Sequence, residues 1–213
     1  MAQSCACPSG HGGAPTPPHP GSSPDLAAGG RDRHRPVASS ILIEVFMPEK
    51  IYNTLFICTG NSARSILAEG LLNGLAQGRF RAYSAGSHPK GEVHPLALDT
   101  LERLKMPSTG YRSKSWDEYA RPDAPEFDFI FTVCDSAAGE ICPVWPGRPM
   151  SANWGVPDPA AVEGGEDEKA KAFHDTAIIL KRRIELFLSL PMERRNMLSL
   201  QTLQSQLHDI GRA

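Results

Sequence analysis

A chain of 213 residues with 40% hydrophobic content is long enough to bury one substantial core with tails, or two very small ones. Its 22 basic and 24 acidic residues leave a formal net charge of −2, so it lacks the one-signed field that nucleic acid or a membrane surface would call for. No segment approaches the roughly 20 apolar residues that span a bilayer, so no membrane partner is expected.

Residues 1–46 are crowded with Pro, Gly, Ser and His (PSGHGGAPTPPHPGSSP) and have little to bury; they are expected to be a disordered extension. The run Val37–Met47 is too short and misplaced for a signal peptide. Met47 opens MPEKIYNTLFIC, the way a compact α/β protein begins, and is expected to be the true start, with the preceding residues an over-extended reading frame or a dispensable tail. The five cysteines, Cys5, Cys7, Cys58, Cys134 and Cys142, are an odd number, which suits reactive or redox thiols in the cytoplasm better than a disulfide framework. Cys5-Ala-Cys7 with His11 has a soft-metal flavour, but one C-x-C in low-complexity sequence is a weak sign, and no metal site is expected.

From Met47 the pattern alternates. A strand over 51–57 carries Leu55, Phe56 and Ile57 and ends at Cys58; a polar loop, Thr59-Gly60-Asn61-Ser62-Ala63, leads to Arg64-Ser65 and a helix over 64–76 with Ile66, Leu67, Leu71 and Leu72 on its apolar side. A cysteine at a strand end, six residues before an arginine that opens a helix, makes a site for a tetrahedral oxyanion. Loop N–H groups point inward, the helix N-terminus adds partial positive charge, and the Arg64 fork clamps two oxygens. The same fields favour the nucleophilic thiolate form of a cysteine. Phosphate, arsenate and sulfate all fit such a cradle; the plain alternative is a buried cysteine before an ordinary loop.

Further along, strand 80–84, helix 94–105, strand 127–133 (FDFIFTV), strand 150–153 and helix 166–189 complete an α/β order: a four-stranded parallel sheet covered by helices on both faces. The charge run Glu166–Lys171 reads as a solvated helix start. Ligands of such sheets bind beyond the carboxyl ends of the strands, so Cys58 and Cys134, each ending a strand, should reach one crevice. After Pro191, residues Met197, Leu200, Leu203, Leu207 and Ile210 suit an amphipathic helix. Its seam is too short for a coiled coil, so it is expected to dock on the domain, with a weak dimer contact as the other reading; a monomer is expected. The organisation is thus an extension over 1–46, a domain over 47–191 and a helical tail over 192–213.

Asp158, held between Pro157 and Pro159, is the candidate acid, able to protonate a leaving oxygen from a stiffened turn. A solvated aspartate in a Pro-Asp-Pro turn is the bland alternative. Cys134 and Cys142 have no use in oxyanion hydrolysis. Two further thiols beside a thiolate site suit a relay of disulfide exchange, with the small polar segment between them free to rearrange; either alone could simply fill core volume. Ser65 is placed to hydrogen-bond Cys58 or to cap the helix. His88, His94 and His174 lack metal-ligand spacing, and Trp154 is expected to pack.

Together CTGNSARSILAEG, YSAGSHP, VCDSAAGEICPVWPG and NWGVPDPA resemble the arsenate reductases built on the low-molecular-weight tyrosine phosphatase fold, from about Tyr52 to Leu190. The resemblance implies a three-layer sandwich around the four-stranded parallel sheet. It implies that Cys58 attacks arsenate held by residues 59–65, that Asp158 assists loss of hydroxide, that Cys134 attacks Cys58 to release arsenite, and that Cys142 then attacks Cys134. The resulting Cys134–Cys142 disulfide would be reduced by thioredoxin, or the electrons would come through glutathione and glutaredoxin; no bound cofactor is implied.

Departures from the related phosphatases sharpen this. They carry a second cysteine before the loop arginine and a proline after the following serine, where this chain has Ala63 and Ile66; Ala160 and Ala161 stand where aromatics would hold a phosphotyrosine ring. Several relatives bind potassium near the loop through residues matching Asn61 and Glu69, and Lys114 replaces an aspartate that helps there, so its ammonium is expected to substitute for the ion and steady both residues. The rival readings are a low-molecular-weight phosphatase, which would not need Cys134 and Cys142, and a non-catalytic arsenic- or redox-sensing protein using the same thiols.

Overall fold

Strand β1, Tyr52–Cys58, is central and pairs in parallel with β2, Phe80–Gly86, on one side and β3, Phe129–Thr132, on the other; β4, Met150–Asn153, completes the order β2-β1-β3-β4. The structure, a computed structural model, describes residues 50–134, 145–192 and 197–213, with the side chains of 197–199 left aside. The readings on residues 1–46, with Cys5, Cys7 and His11, and on Cys142 lie outside the described residues.

Leu55, Phe56 and Ile57 are wholly buried because both faces of β1 are covered. On one face the rings of Phe80, Phe129, Phe131 and Trp154 surround Phe187 at 5.0–5.8 Å between centroids. Phe187 comes from α3, Glu166–Leu188, which also packs against α1, Arg64–Leu75. Helix α2, Pro95–Arg103, lies against both, and Gly70 of α1 lets it approach: a Cβ there would stand 2.6 Å from Leu101 Cδ1. On the opposite face Tyr83 meets Tyr119 of a 3-10 helix, Trp116–Tyr119, at 5.8 Å and Phe127 at 5.6 Å. The molecule is therefore the three-layer α/β sandwich with a four-stranded parallel sheet that the sequence implied.

Boundaries differ for local reasons. Helix α2 begins at Pro95 rather than 94 because the His94 ring caps it, accepting from Leu96 N at 3.2 Å, and its continuation is broken at Lys105, which has φ 59°. Strand β3 starts two residues later than its apolar run suggests, because Phe127 turns to the other face to meet Tyr83. The last helix, α4, Met197–Ile210, buries Leu203, Leu207 and Ile210 but leaves Leu200 39% exposed, so it docks on the domain with a narrower seam than its spacing suggested. It runs against β4, the edge strand: Gln204 Nε2 donates to Ser151 O at 2.6 Å and Trp154 Nε1 to Leu207 O at 2.9 Å. An edge carbonyl that would otherwise invite another strand is thereby occupied. Among the described residues no helix is long and apolar enough to cross a membrane.

Candidate active site

The loop after β1 turns its carbonyls away from the crevice because another segment claims them. Backbone N–H groups of Ser87, His88, Lys90 and His94 donate to the carbonyls of Cys58, Thr59, Gly60 and Ser62 at 3.3, 2.9, 2.9 and 2.9 Å. Asn61 adopts φ 41°, in the left-handed region an asparagine tolerates, which lets the loop curl until its own N–H reaches Cys58 Sγ at 3.3 Å. Among the described residues no side chain caps α1, and its first turn carries no acid, so its N-terminal field faces the crevice unopposed. The crevice is about 300 Å³, lined by Cys58, Thr59, Gly60, Ser62, Ala63 and Arg64 with His88, Lys90 and Asp158 at its walls.

Behind the cradle a single amide directs a chain of hydrogen bonds. Asn61, wholly buried, accepts from Lys114 N at Oδ1 (2.8 Å), so its Nδ2 donates to Ser65 Oγ (2.9 Å) and Ser84 Oγ (2.8 Å). Ser65 Oγ lies 3.0 Å from Cys58 Sγ, placed to donate its proton to a thiolate there, and Ser84 donates to Glu69 Oε2 at 2.5 Å. Lys114 Nζ stands 3.9 Å from Glu69 Oε2 and donates to Arg112 O at 3.2 Å. Burial pushes the Glu69 carboxyl up, with Lys114 and Ser84 opposing, and pushes the Lys114 ammonium down, with Glu69 opposing. Burial therefore outweighs attraction at both ends of the pair. Tyr111 is pushed up to about 12 by burial and by the Glu69 charge.

Arg64 spans the crevice: Nη2 meets Asp158 Oδ2 at 2.9 Å and Nη1 donates to Val156 O at 3.4 Å. Asp158 caps the short 3-10 helix Pro159–Ala161 with its other oxygen, accepting from Ala160 N at 3.1 Å. Cys134, wholly buried just past the end of β3, places Sγ 3.6 Å from Thr59 Oγ1 of the cradle. The structure thus brings together Cys58, residues 59–65, Glu69, Lys114, Cys134 and Asp158. Of the other candidates, His94 caps α2 and lies against Phe173 at 4.6 Å, while Trp154 is in the core. Sequence reasoning gave no role to Ser84, Gly86 or Lys90. A serine buried mid-strand at YSAG is the one signal that marked the first two; an exposed lysine in a loop gives none.

With this geometry in view, comparison with known proteins is direct. The low molecular weight phosphotyrosine protein phosphatase family matches residues 53–200, and the chain belongs to that family. An arsenate reductase of Halalkalibacterium halodurans is 33% identical over 132 residues, covering 62% of this chain and 91% of the relative. Among solved structures, an arsenate reductase in its oxidized state aligns with TM-score 0.54 at 22% identity, over 65% of this chain and 98% of that one. A low molecular weight protein tyrosine phosphatase from T. tengcongensis aligns with TM-score 0.52 at 22% identity, over 63% and 95%. At that identity the two structures speak for the fold.

Proposed function

We propose that this chain is an arsenate reductase, converting arsenate to arsenite through a Cys58–Cys134–Cys142 relay. The observation that carries this reading is a second buried thiol at the cradle: Cys134 Sγ touches Thr59 Oγ1, in the loop that curls around Cys58. A hydrolase has no use for it. Arsenate is held by the N–H groups of residues 59–65 and the Arg64 fork. The bound anion takes over the guanidinium, which leaves Asp158 to hold a proton for the departing oxygen. Cys58 Sγ forms a bond to arsenic and hydroxide leaves as water. Cys134 then attacks Cys58 Sγ: the S–S bond forms, the As–S bond breaks, and its electron pair stays on arsenic as As(V) becomes As(III). Cys142 attacks Cys134, Cys58 leaves as thiolate, and a dithiol donor, thioredoxin or glutathione with glutaredoxin, reduces the Cys134–Cys142 disulfide. The setting is the cytoplasm, where such donors are kept reduced.

Lys114 replaces a potassium ion in this reading. Glu69 Oε2 receives Ser84 and faces the Lys114 ammonium, and Asn61 Oδ1 accepts from Lys114 N, so a positive charge and a backbone donor from one residue already serve the two groups a potassium ion would hold. Turnover equal in potassium and in tetramethylammonium salts is expected; strong potassium activation would contradict it.

The test is NADPH consumption by the purified chain with arsenate, in separate thioredoxin and glutathione–glutaredoxin systems. Cys134→Ser should abolish multiple turnover yet keep slow hydrolysis of an aryl phosphate. Arsenate reduction persisting in that variant would remove the relay; hydrolysis of an aryl phosphate by the wild-type chain with no arsenate reduction would make the family's phosphatase chemistry the better reading.

A further inference from the structure

The segment carrying Asp158 is gripped from its buried side by a residue that the chemistry above does not use. Arg183 of α3 is 8% exposed, and Nη1 donates to the carbonyls of Trp154 at 2.9 Å and Gly155 at 3.1 Å. Among the described residues it makes no ion pair, and its Nε has no partner. Burial alone pushes its guanidinium down, with no carboxylate opposing. A buried cation whose partners are two carbonyls is a poor way to fill a helix interface, since an apolar side chain would fill the same space without losing hydration. The choice makes sense if those two carbonyls must not move.

They sit at the root of the acid loop. Trp154 N–H extends the sheet by donating to Thr132 O at 2.7 Å, its ring stacks on Phe131 at 3.9 Å, and its indole N–H is held by Leu207 O at 2.9 Å. Past Gly155, Val156 N donates to Val133 O at 3.2 Å and Val156 O receives Arg64, after which Pro157 carries the chain directly to Asp158. Gly155 is the one glycine in this path, its N–H donating to Asn153 Oδ1 at 3.1 Å, and Arg183 bonds the carbonyl on each side of it.

We propose that Arg183 is a positioning residue for Asp158: by fixing the Trp154 and Gly155 carbonyls from α3, it sets where the Asp158 carboxyl stands relative to Arg64 and Cys58. This rests on the reading of Asp158 as the acid, and a double-mutant cycle separates the two claims. Arg183→Met should lower kcat for arsenate by roughly tenfold or more, since small misplacements of a reacting group are that costly. Protection of Cys58 from iodoacetamide by inorganic phosphate should stay within about twofold, because Arg183 touches no part of the cradle. In an Asp158→Asn background the same substitution should cost nothing further. Equal losses in both backgrounds, or an unchanged kcat in Arg183→Met, would overturn the proposal. Should Arg183→Met not fold, Arg183→Lys, which keeps the charge and one donor, carries the cycle with a smaller loss in the same pattern. Should the wild-type chain hydrolyse an aryl phosphate but not reduce arsenate, the function reading fails alone, and the cycle is read on hydrolysis, where Asp158 serves the same leaving oxygen. A wild-type chain that turns over neither substrate overturns both.

Discussion

Gly86→Ala puts the cradle's construction to a quantitative test. Gly86 ends β2 directly opposite Cys58 in the ladder, and its N–H donates to Lys114 O at 2.9 Å. Its φ is not positive, so glycine is needed for proximity and not for backbone freedom. A Cβ there would stand 2.6 Å from Thr59 O and 3.0 Å from both N and Cβ of Asn61. An ordinary C···O contact is about 3.3 Å, so the Thr59 carbonyl must retreat by roughly 0.7 Å. Two of the three obstructing atoms are backbone, so no rotamer change relieves them, and Thr59 O is already held by His88 N at 2.9 Å. Overpacking of this kind costs about 1–3 kcal/mol, and weakening the Thr59–His88 bond adds about 1 kcal/mol. A stability loss of about 2–4 kcal/mol in urea unfolding is expected. The loop N–H groups move with the carbonyl, so kcat/KM for arsenate should fall by about 10- to 100-fold. A variant with wild-type turnover and a stability loss under about 0.5 kcal/mol would mean that the cradle is not braced by β2 in this way.

Two further outcomes follow from the same geometry. Lys90 lies exposed at the crevice wall with its stem across Gly60, so Lys90→Gln should raise KM for arsenate several-fold at unchanged kcat and flatten the salt dependence of kcat/KM; an unaltered salt dependence would deny the lysine any part in drawing in the anion. Lys114→Met removes the charge that partly offsets the burial of Glu69, so the folded-state carboxyl rises further above its unfolded value of 4.5. The unfolded chain releases its proton first in both proteins, and the variant loses further stability relative to wild type as pH rises from the wild-type folded value, itself above 4.5, towards the variant's higher one, by at most about 1.4 kcal/mol per unit. Unfolding free energies at pH 5 and pH 8 that differ equally from wild type would refute the coupling.

What the sequence made legible was whatever chain-local patterns encode. Leu55-Phe56-Ile57 before Cys58, and the spacing to Arg64, announce a buried strand and an anion cradle, because both are built from consecutive residues. Trp116–Tyr119 gave no periodic signal, being a 3-10 helix of four residues, and only packing against Tyr83 makes it part of the third layer of the sandwich. Ser84 looks like any strand residue until Asn61 and Glu69 are seen on either side of its hydroxyl. Lys114 was picked out by resemblance, but its backbone role, donating to Asn61 Oδ1, depends on the bridge that lays Ser115 beside Gly86. Arg183 is hidden in a different way: on a charged helix nothing marks one arginine as the buried one.

The hydrogen-bond chain behind Cys58 also bears on why one site could serve both the first and the last thiol step. Its polarity is fixed at the Asn61 amide. The donor at its head is a backbone N–H, that of Lys114, so the Asn61 amide cannot flip without setting its NH₂ against another donor. Both Nδ2 protons are therefore committed to Ser65 and Ser84, and Ser65 keeps its own proton free to donate to a Cys58 thiolate. With the Asn61 N–H, the sulfur faces two donors whose directions are fixed by the fold. Two donors favour negative charge on sulfur when Cys58 attacks the oxyanion. Under the relay they favour it again when Cys58 departs from Cys134, because a better-stabilised thiolate leaves faster. Cys134 meets a Thr59 hydroxyl at the longer distance of 3.6 Å. In the proposed relay the two donors behind Cys58 thus serve the same sulfur when it attacks and when it leaves.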